Sequence, residues 1–166
     1  MARGPESVRS AFHRPYTFAI NSANVEMIDV ITERRRVVLL AEARMAGGDH
    51  LFAHGTRAAI EALRPFRGRV SVIARLRFHP QNAYVMAPPI DVSMGGSAGE
   101  VARLDFRSES LLGLASGTPG ERLPVVGAVA EAVFNASSVG QASRAVIVRL
   151  DGAELTRVKV DFSRLD

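Results

Sequence analysis

The sequence predicts a mainly β fold, a β-sandwich or partly open barrel with one short helix. Three observations predict it. Apolar and polar residues alternate with period two over residues 69–78. An Asp151-Gly152 pair separates two further runs of this kind near the end of the chain. Clusters rich in Gly, Pro, Ser and Asn recur between short apolar runs.

The 166 residues are one domain's worth of chain, enough to bury roughly two thirds of the surface that the unfolded form exposes. Residues 1–15 read as a polar, basic arm ending at Pro15, and residues 16–166 as a single β-rich domain. Tyr16, Phe18 and Ile20 carry the first strand signal, Asn21 to Asn24 a turn, and Val25 to Ile31 a second apolar run. From Arg36 to Met45, Val37, Leu39, Ala41, Ala43 and Met45 alternate with Arg36, Glu42 and Arg44. That alternation favours a strand reached through a hairpin at Thr32–Arg35. The same stretch is rich in helix formers behind Thr32, an N-cap residue type, so helix stays open. Thr56 to Phe66 is the predicted helix, terminated by Pro65 and Gly68.

Arg69 to Phe78 is the clearest strand, with Val70, Val72, Ala74, Leu76 and Phe78 facing inward and Arg69, Arg75 and Arg77 outward. A long loop carrying His79-Pro80-Gln81-Asn82 and Pro88-Pro89 leads to a short strand at Ile90–Met94. Long ordered loops often carry function, so Phe78 to Asp91 is a candidate ligand wall. Val101 to Arg107 is a further strand with Arg103, Asp105 and Arg107 on one face, and residues 108–122 read as loop. Leu123 to Phe134 is apolar at nearly every position apart from Glu131, which suits a buried strand or a small-residue helix. Asn135 to Ser138 is a turn. Ala145–Leu150 and Ala153–Phe162 flank the Asp-Gly turn as a hairpin, with Val158, Val160 and Phe162 inward.

Composition excludes several functions. The chain has no cysteine, so disulfides, thiolate metal sites and cysteine nucleophiles are excluded together. No run approaches 18 apolar residues, so no membrane span is predicted. Arg3 and Arg9 are followed by no apolar stretch, and no signal peptide is expected. The formal charge is +4, and 20 of the 21 basic residues are Arg, Lys159 being the exception. Guanidinium forks suit phosphates and carboxylates. A GC-rich coding sequence, which favours Arg, Ala, Gly and Val, accounts for the same bias without reference to function.

No catalytic motif is complete. Gly95-Gly96-Ser97-Ala98-Gly99 matches G-x-S-x-G, but the hydrolase order is serine, acid, histidine, and all four histidines precede Ser97. His50 and His54 have the i, i+4 spacing of a helical metal pair, yet glycines flank them and no third ligand is nearby, so no metal is expected. Asn135-Ala136-Ser137 has the form of a glycosylation sequon and reads as a turn. Asp91-Val92-Ser93-Met94-Gly95-Gly96 resembles the D-x-S-x-x-G segment of PilZ domains. That resemblance implies recognition of cyclic di-GMP, with Arg34-Arg35-Arg36 standing for the arginines that clamp its phosphates. The family's R-x-x-x-R precedes its D-x-S-x-x-G segment, whereas the matching spacing here, Arg103 to Arg107, follows it.

The arginines are the feature with reach. Arg69, Arg75 and Arg77 lie on one strand face, Arg103 and Arg107 on another, and Arg149 and Arg157 on the final hairpin beside Lys159. On neighbouring strands they would merge into a field that attracts polyanions. Asp105, Glu154 and Asp161 sit among them and offset it if they pair across strands. The sequence therefore points to a non-enzymatic binding or assembly module that acts through protein–protein contacts, a protein partner or self-assembly, with no cofactor. The alternative is an anion-binding domain that recognises nucleic acid or a nucleotide through those seven arginines. An enzyme built on His50, His54 and His79 is the third reading.

Overall fold

A computed structural model of the chain describes residues 6–20, 22–49, 57–79, 81, 84–96, 99–114 and 123–165. Helix α1 (Glu6–His13) leads through a 3-10 turn into β1 (Thr17–Ala19) and β2 (Val25–Ile31). Helices α2 (Glu33–Ala46) and α3 (Arg57–Leu63) precede β3 (Arg69–Arg77). Then come β4 (Ile90–Gly96), β5 (Gly99–Glu100), β6 (Arg103–Leu112) and β7 (Val125–Asn135). The one-turn α4 (Ala136–Val139) joins β7 to the hairpin of β8 (Ser143–Leu150) and β9 (Ala153–Asp161).

Two antiparallel sheets result, and neither closes into a barrel, so the mainly β, sandwich-like class holds. The larger runs β1-β2-β3-β7-β6 and the smaller β5-β4-β8-β9. The chain crosses between sheets three times, after β3, β5 and β7. Period-two alternation turns one face of each sheet inward. Val25, Ile28 and Val30 of β2, Val70, Val72, Ala74 and Leu76 of β3, and Ala128, Ala130, Ala132 and Phe134 of β7 are buried. Across from them lie Val92, Met94, Val146, Val148 and Val160, in one continuous core. β4 runs close to β7, and the three alanines leave room for that approach. The buried Tyr16 hydroxyl donates to the Leu165 carbonyl, tying the start of the sheet to the end of the chain.

Several elements lie where the sequence places them. β3 buries Val70, Val72 and Leu76 and exposes Arg69, Arg75 and Arg77. α3 and the 3-10 turn after it occupy residues 57–66. The 123–134 run, left open between strand and helix, is strand β7 (Val125–Asn135), paired with β3 and β6 on its two sides. The stretch read as a polar, basic arm differs: residues 6–13 form helix α1, Phe12 packs against the core, and His13 Nε2 meets Glu42 Oε2 of α2 at 2.9 Å.

Two further expectations fail. The 32–45 stretch is a helix and not a strand: the Thr32 hydroxyl accepts from the Arg35 N–H at 3.3 Å, an N-cap that starts α2. The apparent alternation has no buried face to serve, since Val37 is exposed and only Arg35 and Ala41 of α2 are buried. The 108–122 loop also begins later than its composition implies. β6 continues to Leu112, because Ser108 and Ser110 pair with Ala130 and Ala128 of β7 on a strand that small polar residues suit.

The C-terminal hairpin turns at Asp151 and Gly152, with φ of 49° and 78°, and aligns Leu150 with Ala153. Both residues sit in the left-handed region that a two-residue turn requires. Gly152→Val places a β-branched side chain there and should destabilise by about 1–2 kcal/mol in urea unfolding. An unchanged midpoint would remove this turn from the account of the hairpin.

Candidate interaction surface

The outer face of the larger sheet carries an ionic row. Thr17, Asp29, Ile73, Glu131 and Arg107 lie side by side across β1, β2, β3, β7 and β6. Glu131 is buried, and its Oε2 accepts from both Nε (2.7 Å) and Nη2 of Arg107. Arg36 reaches down from α2. Its Nη2 donates to Ser71 Oγ at 2.7 Å and lies 3.9 Å from Glu131 Oε1, while its guanidinium stacks 4.1 Å from the Phe66 ring centroid. Burial lowers the Arg36 pKa, Glu131 opposes that shift, and Arg107 adds to it. Arg35, one residue earlier, is buried against β1 and β2. It donates to the carbonyls of Tyr16 (3.1 Å) and Val30 (2.8 Å), to Thr17 Oγ1 and to Asp29 Oδ1.

The seven arginines singled out in the sequence do not form one field. Arg69, Arg75, Arg77 and Arg107 belong to the larger sheet, Arg149 and Arg157 to the smaller. Arg103 and Arg107 do not share a face, because a register shift between Arg103 and Asp105 aligns Arg103 with Phe134 of the inner face. Arg103 therefore lies 4.4 Å over the Phe106 ring and donates to Asp91 Oδ1 (2.8 Å) and the Val92 carbonyl (3.2 Å) of β4. Arg149 joins the same carboxylate from β8, with Asp91 Oδ2 at 3.3 Å and Ser93 Oγ at 2.8 Å. Arg157 is held by Glu154, whose pKa is lowered by the hydrogen bond from Arg157, and Arg77 pairs with Glu26 at 3.4 Å. Only Arg69 and Arg75 of the seven have no carboxylate within ion-pair distance among the described residues.

β6 itself is the unexpected feature. It closes the larger sheet on one side, and of its ten residues only Phe106 is even half-buried. Both faces of the strand are in solvent, so the larger sheet extends past the smaller one. Leu104, Leu111, Leu112 and Leu114 are exposed along and just beyond it. Where β6 and β7 meet the end of β3, a cavity of about 540 Å³ is lined by Leu76, Phe78, Leu111 and Val126 with Arg77 and His79. The loop after β3 thus contributes Phe78 and His79 to a cavity wall, and Tyr84 packs edge-on against Phe78 at 5.3 Å.

Sequence reasoning missed Glu131, Arg36 and Asp91 as ion-pair centres and the β6 edge altogether. The signal for Glu131 was available: a lone charge in an apolar run needs a buried partner. Ser97, His50 and His54 lie outside the described residues. Of the other histidines, His13 faces Glu42, and His79 Nδ1 accepts from the Gln81 N–H at 3.2 Å. The arginine run that the PilZ resemblance would set against phosphates is committed elsewhere. Arg35 and Arg36 engage the larger sheet and Arg34 lies over Phe12, whereas Asp91–Gly96 belongs to β4 of the smaller sheet. Asn135 caps α4, its Oδ1 accepting from the Ser137 N–H and hydroxyl.

The two kinds of arginine predict opposite mutational outcomes. Glu131→Gln strips the shared counter-charge from Arg36 and Arg107 and should cost on the order of 3 kcal/mol in denaturant unfolding. Charge reversal at Arg75, which is exposed and has no carboxylate within ion-pair distance among the described residues, should stay within about 0.5 kcal/mol. Equal losses in the two variants would refute the division. No family model, no curated protein and no solved structure matches the chain.

Proposed function

We propose that the chain is a non-enzymatic binding module that acts through protein–protein contacts, made by adding a strand to β6. The observation that carries this reading is a ten-residue edge strand with no buried residue. An edge of that kind offers a row of unpaired backbone N–H and C=O groups, and an extended segment that pairs with it gains main-chain hydrogen bonds while side-chain contacts set specificity. The other edges are less available: β1 has three residues, β5 has two, and β9 carries Lys159. β6 contains neither Pro nor Lys, the residues that most often blunt an exposed edge.

Selection from a library of random peptides against the intact chain tests the reading. Recovered peptides should be extended in pattern and should slow amide exchange along 104–112 when bound. Proline at Ser108 or Ser110 should abolish that binding at one position or both, because a proline on the edge removes an N–H and disturbs the ladder. Peptides that bind with no protection of β6, or a selection that yields none, would defeat it.

A second reading, anion recognition, rests on one observation. Two guanidiniums, Arg103 and Arg149, share the single carboxylate of Asp91, leaving local positive charge beside Gly95, Gly96 and Ser93. If that charge serves polyanions, Arg149→Ala should lower the salt concentration at which the chain elutes from heparin, and Asp91→Asn should raise it. No shift in either variant would leave the arginines as structural partners of local acids.

A further inference from the structure

We infer that the strand added to β6 is β6 of a second copy of the chain, paired antiparallel about a twofold axis at Ser108. This rests on the strand-addition reading and names its partner. The regular part of the β6–β7 ladder runs from Asp105 to Leu111, bounded by register shifts at both ends, and Ser108 is its midpoint. Pairing two copies about Ser108 therefore uses the whole straight segment.

The side chains are complementary in that register. On the outer face Arg107 stands opposite Glu109 of the second copy, and Glu109 opposite its Arg107, two opposite-charge pairs related by the axis. On the inner face Phe106 meets Ser110 and Ser108 meets its own copy. Asp105 meets Leu111 at the ends of the straight segment, and Leu104 and Leu112, 54% and 58% exposed in the single chain, flank it. Arg107 spends its Nε and Nη2 on Glu131, yet a guanidinium has five donors and this one remains largely exposed.

The neighbouring registers are disfavoured. A shift that centres the axis on Arg107 sets Arg107 against Arg107 and Asp105 against Glu109, like charges in each case. A shift that centres it on Glu109 sets Glu109 against itself. Like charges directly opposite one another destabilise a strand pair. Centring on Phe106 restores opposite charges at Asp105 and Arg107 but runs into the irregular stretch at Arg103–Asp105 and leaves Leu111 and Leu112 unpaired. Odd-sum alignments would set outer-face residues against inner-face ones and are excluded by the pleat. The product is a continuous ten-stranded sheet across the dimer.

The absence of cysteine supplies a clean test. Ser108→Cys should give a disulfide-linked dimer under mild oxidation, since directly opposite Cβ atoms lie within reach of a disulfide after small adjustment. Ser110→Cys should not, because its own copy lies four residues along the antiparallel pair, roughly 13 Å away. Sedimentation of the unmodified chain should show mass rising towards that of two chains with concentration, and Glu109→Arg should reduce that rise at least tenfold in dissociation constant. A chain that stays monomeric, or that crosslinks at 110 and not at 108, overturns the self-pairing. If library peptides still protect β6 in that event, strand addition survives with a different partner. If they do not, both readings fall.

Discussion

Taking the carboxylate of Glu131 out of water costs several kcal/mol unless guanidinium donors replace its hydration. β7 places that carboxylate at mid-sheet, among residues that are otherwise apolar, and two neighbours must answer it. Arg107 answers from β6 and Arg36 from α2. The demand therefore reaches in both directions. It holds the first turns of α2 over the sheet, where Arg36 stacks on Phe66 and donates to Ser71, and it fixes the edge strand to its neighbour through side chains as well as backbone. Arg35 does for β1 and β2 what Arg36 does for β3 and β7. Its guanidinium satisfies two carbonyls at the junction of the first 3-10 turn and β2, so consecutive arginines on one helix pin two parts of one sheet.

That arrangement explains which parts of the fold were legible. β3, whose inward face is apolar, announces itself through the period-two rule, and the β8–β9 hairpin through an Asp-Gly turn that fits one backbone geometry. α2 did not announce itself, because its buried face is largely an arginine. A pattern search that treats Arg as outward mistakes the spacing of Val37, Leu39 and Ala41 for a strand, although those residues serve no sheet. The information lay in Thr32, whose hydroxyl caps the helix, and in three consecutive arginines beside an otherwise apolar segment.

The candidate surface was less legible, for a reason of register. Arg103 and Arg107 are four apart and would share a face on a regular strand. One extra residue at Leu104 turns Arg103 inward to Asp91 and dissolves the predicted arginine face. Bulges of this kind carry no reliable side-chain signature in a single sequence. Charges that look like a field when counted along the chain become local pairs once the strands are placed, and Asp91, Glu131 and Glu154 absorb most of what Arg103, Arg107, Arg149 and Arg157 offer.

What distinguishes β6 from an unfinished sandwich is the chemistry of its inner face. A strand awaiting a second layer would present large apolar side chains inward, as β3 does with Val70, Val72 and Leu76. Between Phe106 and Leu112, the inner face of β6 presents Ser108 and Ser110, which are content in water and gain little from coverage. Its unmet requirement lies in the plane of the sheet: the Phe106 N–H donates to Asp105 Oδ1, and no strand among the described residues pairs with the free side of β6. Hydration satisfies backbone groups on that side without stabilising a particular geometry, whereas a paired strand satisfies them and orders the exposed leucines at both ends of β6 together. The constraint that Glu131 imposes makes this edge suitable for pairing: Arg107, held to β7 by two hydrogen bonds, has already lost much of its side-chain freedom, so an acid on an added strand meets a preorganised donor.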